Sequence, residues 1–323
     1  MRTILTGWLF ALIGAAQCQA AGFQSVEVPS GTGTTMQLAI WYPSAAPTAV
    51  RDMGVFTQAV ATGAEIHGAS LPLVIVSHGN GGNAYSHVDT ALALADAGFV
   101  VASVTHPGDN SRDQSRATDL FERPKHVTAA IDYMLGEWEK RAALAPGRIG
   151  IFGHSSGGFT ALVSIGGQPN LALVAEHCTS HATDYACRLV AQHRTRTPAV
   201  GAPQLHDTRI RAAVVAAPAL GFTFDAASLR AARLPVQLWR AEDDVLLPHP
   251  WYAEAVRRSL PLPPEYHVVP GAGHFDFLAP CSDKLARIVP LICTSAEGFD
   301  RTAFHRQFNA GVVAFFGKAL AAT

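Results

Sequence analysis

Net charge is almost absent from this chain. Its 323 residues hold 24 Lys and Arg against 25 Asp and Glu, a formal charge of −1 with His neutral. Without a basic excess there is no electrostatic footprint for nucleic acid, and none is expected as a partner. Charged residues are 15% of the chain and hydrophobic ones 49%, the balance of a globular protein. Metal-ligand spacings are missing as well. The 14 histidines are scattered, and no His-Glu-x-x-His or Cys-x-x-Cys occurs. Neither a zinc site nor another metal or organic cofactor is expected. No internal repeat or low-complexity tract breaks the chain. At 323 residues it is long enough for one large α/β domain or two small ones.

The N-terminus carries an apolar run over residues 4–16, too short for a comfortable membrane span. Arg2 precedes it, and Cys18-Gln19-Ala20 follows as a small-x-small cleavage site. Residues 1–20 therefore read as a secretory signal, with an uncleaved anchor as the alternative. Lipidation of Cys18 is disfavoured, because Gln17 stands where a small residue is expected. The expectation is a periplasmic or secreted protein with no stable membrane insertion after cleavage. Loss of Cys18 leaves four cysteines, an even number in an oxidising compartment. The sequence-local pairing is Cys178–Cys187 and Cys281–Cys293; four buried free thiols are the alternative.

Residues 21–323 alternate short apolar runs with helical patterns. Strands are expected at 23–29, 36–43, 71–77, 99–104, 149–152, 210–217, 236–240 and 266–269. Helices are expected at 84–97, within 120–144, after Gly158, and at 304–320. Residues 44–70 read as an irregular surface connection. This alternation implies an α/β fold built on a mainly parallel, doubly wound sheet. Two insertions interrupt it, at about 167–208 and 276–300, each with one cysteine pair. The first is read as a cap or lid over the active end of the sheet, with a plain surface excursion as the alternative.

The chemistry centres on residues 148–158. A buried strand runs into Gly153-His154-Ser155-Ser156-Gly157-Gly158, and a helix can follow. That is the context of a nucleophile elbow, in which the serine hydroxyl projects from a strained turn. Ser155 is the candidate nucleophile. It needs a base to take its proton and a carboxylate to orient that base. Later strand ends offer both. Glu242, Asp243 and Asp244 are the candidate acids, with Asp244 preferred and Asp243 as fallback. His274, between Gly273 and Phe275 after the last strand, is the candidate base. His78, His106 and His154 also fall at strand ends; they are expected to line the site without transferring protons. Two backbone N–H groups should hold an oxyanion. Ser156, just after the nucleophile, is one. Asn80 is the other by position, with Gly81 second.

Five segments carry a resemblance to a known family: His78-Gly79-Asn80-Gly81-Gly82, His106-Pro107-Gly108, Glu122-Arg123-Pro124, residues 153–158, and the run from Gly271 through Phe275-Asp276-Phe277-Leu278 to Cys281. With these the chain resembles the α/β-hydrolase superfamily over nearly all of its length beyond the signal. Within it, the chain is similar to exported dienelactone hydrolase-like proteins related to platelet-activating-factor acetylhydrolases. The resemblance implies Ser155 as nucleophile, His274 as base and Asp244 as acid. In that superfamily the acid recurs four residues before a proline, as Asp244 stands before Pro248. True dienelactone hydrolases use a cysteine nucleophile where this chain has Ser155, so the family name does not give the substrate.

The expected function is hydrolysis of a small-molecule carboxylic ester through an acyl-enzyme on Ser155. Rival readings are an amidase or peptidase on the same triad, and a non-catalytic binding protein that kept the fold.

Overall fold

The computed structural model describes residues 20–193 and 205–322. The proposed signal up to Gln19, with Cys18, lies outside the described residues, as do positions 194–204 of the first insertion.

The chain opens with β1 (Ala20–Pro29) and β2 (Thr35–Ser44), antiparallel over their whole length. Gly31 and Gly33, both at positive φ, make the turn between them. Residues 44–70 are not irregular throughout. They form the hairpin β3 (Ala49–Asp52) and β4 (Thr57–Thr62), whose turn is closed by Gly54 N–H donating to Asp52 Oδ1 at 2.7 Å. These strands are short and mostly solvated, so they lack the apolar signal that marks a buried strand.

Then the alternation begins: β5 (Leu71–Ser77), α1 (Val88–Asp96), β6 (Val100–Val104), α2 (Glu122–Gly136), β7 (Leu144–His154) and α3 (Ser156–Ser164). Helix α1 starts at Val88 rather than 84, because residues 84–87 are spent in turns. The first insertion holds α4 (Ala172–Ser180) and α5 (Tyr185–His193). Next come β8 (Ile210–Ala216), β9 (Val236–Ala241), α6 (Ala253–Ser259) and β10 (Glu265–Val269). The second insertion holds α7 (Asp283–Ile288) and α8 (Pro290–Cys293). Helix α9 (Arg301–Ala319) closes the chain, capped by Asp300, whose side chain accepts the Ala303 N–H at 2.8 Å.

The sheet order is β10-β9-β8-β7-β5-β6-β2-β1-β4-β3. From β10 to β6 all neighbours are parallel, and β2 and β1 turn antiparallel at the far side. Strand β5 shows how the fold buries itself. Leu73 and Ile75 pack into one core with Val127, Ile131 and Met134 of α2; Val74 and Val76 pack into the other with Leu94 of α1 and Phe308 of α9. A strand apolar on both faces is what a sheet covered on both sides requires. Truncating a residue such as Ile75 to Ala costs about 2–5 kcal/mol.

Both insertions are clasped by disulfides. Cys178 bonds Cys187 between α4 and α5, and Cys281 bonds Cys293 beside α7 and α8.

Candidate active site

Because β5 to β10 run parallel, their C-terminal ends lie along one edge of the sheet. Ser155 follows β7 there, in a turn at φ 56° and ψ −118°. A non-glycine residue at positive φ costs energy and persists only when its surroundings hold it. Here the Ser155 N–H donates to Ala216 O at 3.0 Å, and its carbonyl accepts the N–H groups of Ala219 and Phe159. The flanking glycines are obligatory. A Cβ on Gly153 would stand 2.0 Å from Gly157 O, and one on Gly157 would stand 1.9 Å from Ser77 O.

Ser155 Oγ lies 3.0 Å from His274 Nε2, and His274 Nδ1 lies 2.7 Å from Asp244 Oδ2. All three side chains are buried. Asp244 follows β9, and its Oδ1 accepts the N–H groups of Leu246 and Leu247 at 3.0 and 2.8 Å. Burial alone would raise the Asp244 pKa. The adjacent His274 and those two N–H groups outweigh it and hold the carboxyl below its ordinary range. An ionised carboxylate only accepts, so Nδ1 of His274 carries the proton and Nε2 is free to accept the Ser155 hydroxyl. Glu242 and Asp243 are exposed, and the Asp243 amide pairs with Ala272 O.

The loop bearing His274 is anchored from behind. Asp276 accepts Gly273 N–H at 2.7 Å and Arg301 Nε at 2.9 Å, and His305 Nε2 lies 2.8 Å from its carbonyl. The sequence reading missed this support from α9. Its only signal was the Asp in the run after His274.

The strand-end histidines do not form an open lining. His78, His106 and His154 are buried, and burial lowers the pKa of each well below the usual value. They are neutral braces. His78 donates from Nδ1 to Gly79 O at 2.6 Å and accepts the His106 N–H at Nε2. His106 Nε2 lies 2.8 Å from Ser77 Oγ. His154 packs on the His274 ring with centroids 4.8 Å apart.

Of the candidate oxyanion donors, the Ser156 N–H opens α3, where the first amides of a helix have no internal partner. The Gly81 N–H is committed to Asp109 Oδ1 at 3.0 Å. The Asn80 N–H donates to no other described residue, and its loop faces Ser155: a Cβ on Gly79 would lie 3.2 Å from Ser155 Cβ. The first insertion reaches this loop directly, for the Tyr185 hydroxyl on α5 donates to Asn80 Oδ1. Asp109, Arg123 and Tyr185, absent from the sequence-level site, all converge on it.

Among the described residues no group of three or more His, Cys, Asp and Glu is arranged to hold a metal ion, and no helix is long and apolar enough to cross a membrane.

No family model matches the chain, and no curated protein is detectably similar in sequence. Solved structures are similar in fold. A ferulic acid esterase from Streptomyces cinnamoneus superposes with a TM-score of 0.61 at 18% identity, covering 95% of this chain and 91% of that one. A dienelactone hydrolase from Anabaena variabilis superposes with a TM-score of 0.54 at 14% identity, covering 93% of this chain and 99% of that one. With the sheet order and the elbow geometry, these likenesses show that the chain has the α/β-hydrolase fold.

Proposed function

We propose that this chain is a serine esterase that hydrolyses carboxylic esters through an acyl-enzyme on Ser155. The carrying observation is the unbroken line of hydrogen-bond distances Ser155–His274–Asp244, in which an ionised Asp244 selects the tautomer that base catalysis needs. His274 Nε2 takes the hydroxyl proton as Ser155 Oγ attacks the ester carbonyl. The N–H groups of Asn80 and Ser156 hold the oxyanion that forms. His274 then gives its proton to the departing alkoxide. Water, deprotonated by the same imidazole, releases the carboxylic acid and restores Ser155. Asp244 holds the His274 tautomer and stabilises the imidazolium between these steps. No step needs a metal or cofactor. The kinship with exported dienelactone hydrolase-like proteins belongs to this proposal, as does a periplasmic or secreted location, which the two disulfides support.

Incubation with p-nitrophenyl acetate and butyrate tests the reading, beside Ser155→Ala and a fluorophosphonate probe. Wild type is expected to turn over ester and to be labelled. Ser155→Ala is expected to lose about 10⁵-fold or more in kcat and all labelling. Absence of both in wild type refutes the enzyme. Cleavage of anilides but not esters would move the assignment to an amidase.

A further inference from the structure

Two conspicuous segments have no part in the chemistry above: the loop after β6 that carries Asp109, and Glu122-Arg123-Pro124 at the start of α2. They meet beneath the Asn80 loop. Asp109 and Arg123 are both 2% exposed. Arg123 donates to Asp109 Oδ2 and to the His78 carbonyl, and its Nε reaches Thr160 Oγ1 at 3.2 Å. A buried ion pair is weak evidence for stability, since desolvation offsets much of the attraction. Its value here is geometric. With Oδ2 held by Arg123, Asp109 presents Oδ1 to Asn80 Nδ2 at 2.7 Å and to the Gly81 N–H at 3.0 Å.

The other end of the Asn80 amide is held from the cap, where the Tyr185 hydroxyl donates to Oδ1. The side chain is thus gripped at both ends by residues on different elements. The backbone is gripped too. Gly79 O accepts the Gly82 N–H at 3.1 Å and His78 Nδ1 at 2.6 Å. A planar trans peptide directs its N–H opposite its carbonyl, so fixing Gly79 O fixes the direction of the Asn80 N–H.

We infer that Tyr185 is a positioning residue for the oxyanion site, acting through the Asn80 side chain that Asp109 and Arg123 hold from below. This rests on the reading of the Asn80 N–H as an oxyanion donor. A preorganised donor acts on charge that develops in the transition state, so disordering it lowers kcat and leaves KM nearly unchanged.

The test is a double-mutant cycle on p-nitrophenyl butyrate with Tyr185→Phe, Asn80→Ala and the pair. Thermal midpoints are read for each. Tyr185→Phe removes one hydroxyl from a half-buried surface helix. It is expected to lower kcat about tenfold with KM within about twofold, the scale of one lost hydrogen bond. In the Asn80→Ala background the same change is expected to cost nothing further, because its route of action is gone. An unchanged kcat in Tyr185→Phe, with or without a lower midpoint, overturns the inference. So does an equal loss in both backgrounds. If wild type turned over no ester, the reading of the site itself would fall and take this one with it. Turnover by wild type with an indifferent Tyr185→Phe removes this one alone.

Discussion

Asp244 and His274 are joined at 2.7 Å, while Asp243, one residue earlier, is exposed to solvent. The exit from β9 decides this. The Asp243 amide pairs with Ala272 O, and the next side chain is turned inward to meet the N–H groups of Leu246 and Leu247.

Asp244→Asn is therefore expected to lose about 10⁴-fold in kcat, since an amide no longer holds the required His274 tautomer. Asp243→Asn is expected to stay within about twofold, as exposed substitutions do. Steady-state rates on p-nitrophenyl acetate distinguish them, and the reverse result would transfer the role to Asp243.

Stability is expected to fall as pH drops from 6.5 toward 4. His78, His87, His106, His126 and His154 are buried, and burial holds their pKa values low, at about 4 for His87 and His126. The unfolded chain takes up these protons near 6.5 and the folded one does not. The stability is thus present above 6.5 and lost downward through that window. Each such histidine adds a slope of up to about 1.4 kcal/mol per pH unit. Asp244, whose pKa is depressed, adds a further loss below the ordinary carboxylate value of 3.8. Urea titrations from pH 7 to 4.5 measure the profile. His87→Phe, which keeps a ring against Phe152, is expected to flatten it by about one histidine's share. A profile already flat in wild type contradicts the account.

Thiol labelling of the unreduced, denatured chain is expected to find no reactive cysteine beyond Cys18. Opening either loop by a Cys→Ser pair should cost about 2.5–3 kcal/mol by loop-closure entropy. Four labelled thiols in a chain starting at Ala21 would exclude both bonds.

Gly157→Ala is expected to destabilise the fold by about 3 kcal/mol or more, because its Cβ would collide with backbone at Ser77 rather than with a side chain that could move. Gly136→Ala, at the end of α2 with nothing within 4 Å, is expected to be neutral or stabilising by up to about 1 kcal/mol. Thermal melts of the two variants report the contrast. Equal midpoints would mean that the elbow is less tightly packed than described.

Much of the fold was legible because a parallel sheet buried on both faces writes itself as apolar runs, as Leu73-Val74-Ile75-Val76 does. Strands β3 and β4 were not legible, being polar and short. The strand-end histidines misled for another reason. A His at such a position looks like a wall of the site, but His78 and His106 spend their nitrogens on bracing the loops. The contacts of Asp109 with Arg123 and of Tyr185 with Asn80 span 14 and 105 residues, and no local pattern encodes them.

What the sequence by itself determined was the order and kind of the parts: a strand, a Gly-x-Ser-x-Gly turn and a helix, then acids and a histidine at later strand ends. Turn chemistry and apolar periodicity are local, so residues alone specify them. The tertiary structure decided which acid faces His274, which amide beside Ser155 has no partner among the described residues, and that the first insertion touches the Asn80 loop. Ser155 and His274 are 119 residues apart and meet at 3.0 Å only because parallel pairing from β7 through β10 aligns their strand ends. That alignment is a property of the whole sheet, and no single segment carries it.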